Sequence, residues 1–217
     1  MVRGLRGRLL GLLGLAVIVG GAIGIMAASG LLGSQGGGTT ESGMAIEGAL
    51  VLEPPPPGVS DYEVGVKVEQ VAKDFEASDF QGQRIRLSHF RGRPVYINFW
   101  ASWCIPCRAE MPDIRELMDR HPELVTIGVN RAEPLKRAQG FLDDIELKDG
   151  SRGMSFTVNA LDPDDSLYNA YRGLGMPVSI FVDADGFITF VRNGRLLQTE
   201  MEEALALTVA SPATAGR

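Results

Sequence analysis

Residues 95–107 read VYINFWASWCIPC, an apolar run followed closely by a Cys-x-x-Cys motif. The run from Val95 to Trp100 favours a buried central strand, and the pattern after the motif is helical. Cys104 is therefore predicted to lie at the N-terminus of a helix, where unpaired N–H groups and the helix dipole stabilise a thiolate. Cys107 follows about one turn later, close enough to form a disulfide with Cys104.

This pair is the whole cysteine content of the 217-residue chain, which indicates dithiol–disulfide exchange. A zinc site needs four ligands, and the only histidines, His89 and His121, have no ligand spacing to the cysteines. A purely structural disulfide would close too short a loop to stabilise the chain much. Redox chemistry is the favoured interpretation, with Cys104 and Cys107 as the redox group and with no metal or cofactor.

The N-terminal region places Arg3, Arg6 and Arg8 before residues 9–32, which carry no charge. As a helix these 24 residues would be about 36 Å long, and a bilayer core is roughly 30 Å thick. We expect a cytoplasmic tail at residues 1–8 and a single-pass transmembrane anchor at residues 9–32, with the main body on the extracytoplasmic side of the cell membrane. The alternative is a cleaved signal peptide, because Ala27-Ala28-Ser29 offers small residues for cleavage.

Residues 33–62 are predicted to form a linker, since they contain the flexible Gly36-Gly37-Gly38 and the stiff stretch from Pro54 to Pro57. Residues 63–208 have the length of one domain, and residues 209–217 are predicted to be a disordered tail. Without the three N-terminal arginines, the 21 basic residues fall to 18 against 27 acidic ones, a formal charge of −9. That charge argues against nucleic acid or an anionic lipid surface as the partner.

Apolar periodicity and turn residues predict the remaining elements. A helix from Ile105 to Arg120 has an apolar face that consists of Met111, Ile114, Leu117 and Met118, and Pro112 is expected to kink it. The other predicted elements are strands at 84–87 (an edge strand), 124–129, 155–158, 176–182 and 187–191, helices at 134–145, 165–172 and 199–208, and turns at Asp185-Gly186 and Asn193-Gly194. This order predicts an α/β domain with a central mixed sheet flanked by helices.

Three stretches of the chain carry a resemblance to a known family: residues 96–112, YINFWASWCIPCRAEMP; Val129-Asn130; and residues 175–183, GMPVSIFVD. They resemble the thioredoxin superfamily, and within it the membrane-anchored extracytoplasmic branch of TlpA, ResA and CcmG type. The resemblance extends from about Val71 to Leu207 and implies a thioredoxin-like fold. The cysteine motif, the proline inside the helix and the later proline occur in the order and spacing of that family.

The resemblance also implies a substrate-binding surface. Met176-Pro177 matches the family's cis-proline site, which lies beside the disulfide and presents backbone to the extended chain of the substrate. The residues expected to contact substrate are Trp103, Ile105, Pro106, Met176 and Pro177. Ile105 departs from ResA proper, which has an acidic residue between the cysteines.

Two further positions concern the proton of the second cysteine. Asn98 stands where cytoplasmic thioredoxins have a buried aspartate that shuttles this proton, and an asparagine cannot do that work. Glu133 matches a glutamate that lies near the motif in the TlpA and ResA branch. We therefore expect Glu133 to be the base that helps Cys107 to lose its proton.

Together these inferences predict an extracytoplasmic thiol-disulfide oxidoreductase that reduces disulfides in exported proteins. Reduction of apocytochrome c is the best-known task of the family. Cys104 is expected to attack the substrate disulfide and Cys107 to resolve the mixed disulfide. Because the chain has no third cysteine to recharge the pair, the resemblance implies a membrane thiol transporter of DsbD or CcdA kind as the electron donor.

Three other functions are compared with this one. A disulfide-forming oxidase uses the same fold in the opposite direction, and the sequence does not set the direction. A peroxidase of peroxiredoxin type is disfavoured, because Ile97 and Ala101 stand where it needs a proline and a hydroxyl residue. A redox-inert, membrane-tethered chaperone could bind thiols at the Pro177 groove, but the intact Trp103–Cys107 motif argues against it.

Overall fold

In the computed structural model, which describes residues 48–52 and 63–211, strands and helices follow one another nearly as the sequence predicts. The strands are β1 Leu50–Val51, β2 Val64–Gly65, β3 Val71–Ala72, β4 Phe75–Ser78, β5 Arg84–Arg86, β6 Val95–Trp100, β7 Val125–Arg131, β8 Val158–Asp162, β9 Val178–Val182 and β10 Ile188–Asn193. The helices are α1 Ile105–Arg120, α2 Leu135–Asp143, α3 Ser166–Ala170 and α4 Gln198–Ala210, with a 3-10 turn at Leu87–Phe90.

The predicted membrane anchor, residues 9–32, lies outside the described residues, as do the cytoplasmic tail and most of the linker. Within residues 48–52 and 63–211, no helix combines the length and the apolar character that a membrane span requires.

The central sheet has the strand order β10-β9-β6-β7-β8 and is mixed, as predicted. β6 occupies its middle: it runs parallel to β7, with Ile97 opposite Ile127, and antiparallel to β9, with Ile97 opposite Ile180. All six residues of β6 are buried, which explains why this strand reads as a continuous apolar run instead of an alternating one. A second sheet, in the order β1-β4-β5, has Arg84–Arg86 at its edge as expected.

Alternate residues of β6 contribute to two separate hydrophobic cores. Tyr96 and Trp100 belong to the core that α1, α2 and α4 cover, and this core also contains both cysteines. Ile97 and Phe99 belong to the other core, which α3 and the strand β4 cover. Helices therefore pack on both faces of the sheet, and the strand that precedes the cysteine motif is held from both sides.

One strand differs from its prediction. The strand expected at residues 155–158 is β8, Val158–Asp162, which pairs in parallel with β7. Before it, the Asn159 side chain accepts a hydrogen bond from the N–H of Phe156 at 3.2 Å, and this local turn delays the start of the strand. Asn159 and Asp162 are poor strand formers, so the sequence pattern did not indicate that the strand extends to residue 162.

Part of the predicted linker also belongs to the domain. Leu50 and Val51 pair with Glu76 and Phe75 of β4, and Ala49 is buried. The linker prediction is therefore wrong for residues 48–52, because a two-residue strand is too short to show a periodicity. The last helix, α4, includes residues 209 and 210, which the sequence analysis assigned to the tail.

Candidate active site

Cys104 and Cys107 form a disulfide at the start of α1, at the point where the chain leaves the central strand β6. Cys104 is the N-cap residue, and its sulfur accepts a hydrogen bond from the N–H of Cys107 at 3.1 Å. Pro106 lies in the first helical turn, where its missing N–H has no helical partner to lose. One N–H group of the first turn, that of Cys107, therefore points at the sulfur of Cys104.

The two cysteines differ slightly in solvent exposure, and the residues that flank Cys104 are far more exposed than either of them. Cys107 is fully buried, whereas Cys104 is 4% exposed. The side chains on either side of Cys104 protrude from the surface: Trp103 is 62% exposed and Ile105 is 82% exposed. A partner protein that reaches the disulfide therefore meets Cys104 first, in an apolar surrounding.

The Met176–Pro177 peptide bond is cis, as expected from the resemblance. β9 runs antiparallel to β6, and its first residue, Val178, lies opposite Phe99. Pro177, the residue before Val178, therefore lies beside the carboxyl end of β6, where the loop to Cys104 begins. Met176 packs against the core that contains both cysteines, and it is partly exposed. The structure therefore brings Met176 and Pro177 to the same end of the sheet as the other three residues expected to contact substrate, Trp103, Ile105 and Pro106.

Asn98 is fully buried below the motif and holds a second buried polar residue, Glu110. The Asn98 side-chain amide donates to Glu110 Oε1 at 2.8 Å and to the Tyr96 hydroxyl at 3.2 Å. The backbone N–H of Leu196 donates to Glu110 Oε2 at 3.1 Å. Burial raises the pKa of Glu110 to about 7, against the smaller opposing effects of the hydrogen bonds from Asn98 and Leu196 and of the Arg195 charge.

Glu110 was missed by the sequence analysis, although a signal for it existed. On α1 the buried residues include Cys107, Glu110, Met111 and Ile114, which have the spacing of one helix face. A buried glutamate is unusual, because a buried carboxyl group costs free energy unless it is paired or protonated, and a second acid, Asp113, is buried one turn later. With a pKa near neutrality and a position one turn after Cys107, Glu110 can accept or return a proton at this end of the site.

Glu133, the base predicted from the sequence, also lies near the motif and is buried. Its carboxylate accepts hydrogen bonds from the backbone N–H and the hydroxyl of Ser102, at 2.7 and 2.5 Å, and from the Asn130 side chain at 2.9 Å. The structure therefore connects Glu133 to the loop that precedes Cys104.

Among residues 48–52 and 63–211, no group of three or more His, Cys, Asp or Glu side chains is placed to hold a metal ion. The groups around the disulfide that can exchange electrons or protons include the two sulfurs and the buried acids Glu110 and Glu133.

Comparison with known proteins assigns the chain to a family. Residues 68–191 match the model of the AhpC/TSA family. The thiol-disulfide oxidoreductase ResA of Geobacillus kaustophilus is 30% identical over 145 residues, which are 66% of this chain and 79% of that protein. The thioredoxin-like protein YneN of Bacillus subtilis is 30% identical over 152 residues, 68% of this chain and 84% of that protein.

A solved structure shows the same similarity in three dimensions. The crystal structure of a thiol:disulfide interchange protein DsbE from Chlorobium tepidum superposes with a TM-score of 0.58 at 26% identity. The match covers 67% of this chain and the whole of that chain. The thioredoxin-like α/β fold expected from the sequence is therefore confirmed.

The raised pKa of Glu110 predicts a dependence of stability on pH. The folded protein binds a proton here up to about pH 7, whereas the unfolded chain releases it near the ordinary value of 4.5. The free energy of unfolding should therefore fall as pH rises through this window and stay lower above it. Glu110→Gln stays neutral, so it should equal the parent near pH 4.5 and exceed it at pH 8, by about 3 kcal/mol at most.

Denaturant unfolding of the oxidised full-length chain at pH 4.5, 6 and 8 measures this difference. Glu203→Gln is the matched control, because Glu203 is exposed on α4. If Glu110→Gln keeps the same pH slope as the parent, then Glu110 does not titrate in this range and cannot be the proton carrier.

Proposed function

We propose that this chain, which belongs to the AhpC/TSA family and is a thiol-disulfide oxidoreductase of ResA and DsbE type, reduces disulfide bonds in proteins on the outer side of the cytoplasmic membrane. The observation that carries the proposal is the Cys104–Cys107 disulfide at the N-terminus of α1, with an apolar exposed rim beside Cys104 and a buried acid one turn after Cys107.

The reaction begins from the dithiol form of the enzyme. The Cys104 thiolate attacks one sulfur of the substrate disulfide, forms a mixed disulfide and releases the other substrate sulfur as a thiolate. The Cys107 thiolate then attacks the Cys104 sulfur, restores the Cys104–Cys107 disulfide and releases the second substrate thiol. Two electrons pass from the enzyme to the substrate, and the order follows from access, since Cys107 is fully buried.

Proton handling in the second step falls to Glu110. Cys107 must lose its proton in a buried place, where desolvation raises the pKa of a thiol. Residues three apart on a helix are neighbours, so Glu110 lies next to Cys107 on the buried face of α1. Its pKa of about 7 suits a group that takes a proton near neutral pH.

The roles of the two cysteines can be tested by trapping. Cys107→Ser removes the resolving sulfur, so the mixed disulfide between Cys104 and a substrate protein should accumulate. Cys104→Ser should trap none, because the buried Cys107 cannot reach a partner. Non-reducing electrophoresis and mass analysis of the trapped species measure both outcomes, and trapping by the Cys104 variant alone would reverse the assignment.

The reducing direction is supported by the surroundings of the sulfurs. An enzyme is a strong oxidant when its reduced form is stabilised, usually by stabilising the thiolate. Here the residues between the cysteines, Ile105 and Pro106, carry no charge, so neither side chain adds to the stabilisation of the Cys104 thiolate by the helix N-terminus. This feature supports a dithiol that is easily oxidised, and with it the reducing direction that we propose.

The reduction potential of the Cys104/Cys107 couple should accordingly lie nearer to that of thioredoxin, about −270 mV, than to that of DsbA, about −120 mV. Equilibration of the purified full-length chain with glutathione buffers, followed by the fluorescence of Trp100 and Trp103, measures it. A potential above about −160 mV on this scale would assign the enzyme as a disulfide-forming oxidase instead.

The substrate and the electron donor are proposed from the family resemblance. The substrate class is exported proteins with a disulfide, apocytochrome c among them. Since the chain holds two cysteines only, its disulfide must be reduced again by another protein. A membrane thiol transporter of DsbD or CcdA kind would carry electrons from the cytoplasm to the side where the enzyme works.

The location is proposed from the N-terminal sequence, with Arg3, Arg6 and Arg8 inside and an uncleaved span at residues 9–32. Mass analysis of the protein extracted from membranes should then find the intact N-terminus, and protease added outside intact cells stripped of their wall should digest residues 63–211. A mature chain that begins near Gly30 would replace the anchor by a signal peptide.

A further inference from the structure

Glu133 is a buried carboxylate held entirely by neutral donors in the described part of the chain. It is 6% exposed, and no ion pair with Lys, Arg or His is formed within residues 48–52 and 63–211. Ser102 donates twice, from its N–H to Oε2 at 2.7 Å and from its hydroxyl to Oε1 at 2.5 Å. Asn130, on β7, donates to Oε2 at 2.9 Å. Both carboxylate oxygens are therefore engaged, and they join two elements.

Ser102 lies in the tight turn that leads to the reactive sulfur. The N–H of Cys104 donates to the carbonyl oxygen of Ala101 at 3.1 Å, which closes a four-residue turn with Ser102 at its second position. Cys104 then begins α1 as its N-cap residue. The orientation of this turn sets where the Cys104 sulfur lies relative to the N–H groups of the helix.

The chain bends sharply at the residue before Glu133. Ala132 has a positive φ of 49°, a left-handed conformation that costs free energy for a residue with a Cβ. The N–H of Ala132 donates to the carbonyl oxygen of Asp162 at 2.9 Å, which holds the bend against β8. Strained backbone of this kind persists where surrounding contacts impose it, and it is frequent at functional sites.

We propose that Glu133 is a positioning residue that holds the Ala101–Cys104 turn, and with it the attacking sulfur of Cys104, through its two hydrogen bonds to Ser102. This inference rests on the proposed role of Cys104 as the attacking cysteine. It replaces the base role expected for Glu133 from the sequence. The three hydrogen bonds of its carboxylate go to Ser102 and Asn130, whereas Glu110 lies next to Cys107 on the buried face of α1 and is available for the proton step.

The test isolates the attack step from the resolution step. Full-length Cys107→Ser serves as the parent, since its Cys104 can attack a disulfide but no second cysteine can resolve the product. The probe is 5,5′-dithiobis(2-nitrobenzoic acid): the Cys104 thiolate forms a mixed disulfide with one half, and the other half leaves as a coloured thiolate. The second-order rate of colour release is measured from pH 5 to pH 9.

Four changes are made in this parent. Glu133→Gln keeps the shape and removes the charge, while Glu133→Asp keeps the charge and shortens the reach. Ser102→Ala removes the hydroxyl donor and leaves the backbone N–H in place. Glu146→Gln is the matched control, because the exposed Glu146 undergoes the same chemical change away from the turn.

If Glu133 acts by positioning the turn, shortening its side chain should slow the attack of Cys104 as much as removing its charge does. Attack should slow about 10-fold in both Glu133→Gln and Glu133→Asp, within the range that misplacement of a reacting group produces. Ser102→Ala should slow attack about threefold, the loss expected for one hydrogen bond of modest strength. Glu146→Gln should match the parent.

Several results would overturn the positioning role. Attack faster at low pH in Glu133→Gln with an unchanged Glu133→Asp would mean that the Glu133 charge acts on the thiolate. Normal attack, with slow resolution when Glu133→Gln is combined with an intact Cys107, would restore the base role. Attack within twofold of the parent in both Glu133 variants would make Glu133 dispensable for the chemistry.

Two further controls keep the result interpretable. If thermal denaturation shows that the Glu133 variants do not fold, Ser102→Ala decides: a slower attack supports the proposal and a parental rate overturns it. If the Cys107→Ser parent itself fails to attack the probe, both the proposed role of Cys104 and the positioning role of Glu133 are wrong. If the parent reacts and the Glu133 variants react slowly, the positioning role is supported and the proposed function is unaffected.

Discussion

The burial of β6 on every side is the constraint on which the rest of the domain depends. This strand is paired with β7 on one edge and with β9 on the other, and its alternate side chains enter two different cores. A strand held in this way cannot shift its register without moving apolar side chains between cores. Its carboxyl end is therefore a fixed point, and the turn that carries Cys104 starts there.

Two buried glutamates near the carboxyl end of β6 accept hydrogen bonds from different parts of the chain. Glu110 accepts two hydrogen bonds on the buried face of α1, and burial raises its pKa to about 7, so that it exchanges a proton near neutral pH. Glu133 accepts three hydrogen bonds from donors that converge on it. The Glu110 bonds come from β6 and from Leu196, whereas those of Glu133 come from the turn before Cys104 and from β7. These partners are the basis of the two roles proposed above, proton transfer for Glu110 and positioning of the turn for Glu133.

The surface at the disulfide combines a buried redox group with an apolar exposed rim. Trp103 and Ile105 protrude beside a sulfur that is itself almost covered, and Pro177 closes the same end of the sheet. Large apolar side chains exposed together often mark a site of contact with other proteins. Under the proposed function, this rim binds extended chains of varied sequence, because backbone and apolar contacts make few demands on particular side chains.

Local features of the chain were readable from the sequence. The apolar run of β6, the spacing of Cys104 and Cys107 and the periodicity of α1 each depend on neighbours along the chain, so they predict the strand, the helix and the redox pair between them. The resemblance added the cis-proline at Pro177 and the location of Glu133 near the motif. Short or polar elements were not predicted correctly. β1 has only two residues, too few to show a periodicity, and β8 contains Asn159 and Asp162, which are uncommon in strands.

The hydrogen-bond partners of the two acids emerged from the tertiary structure alone. The Leu196 N–H that binds Glu110 lies 86 residues away in the chain, and the Ser102 N–H that binds Glu133 lies 31 residues away. Whether a glutamate is charged, and what it holds, depends on how far packing removes it from water and on which donors packing brings to it. Neither quantity is a property of the local sequence, because both arise only when distant segments meet around β6.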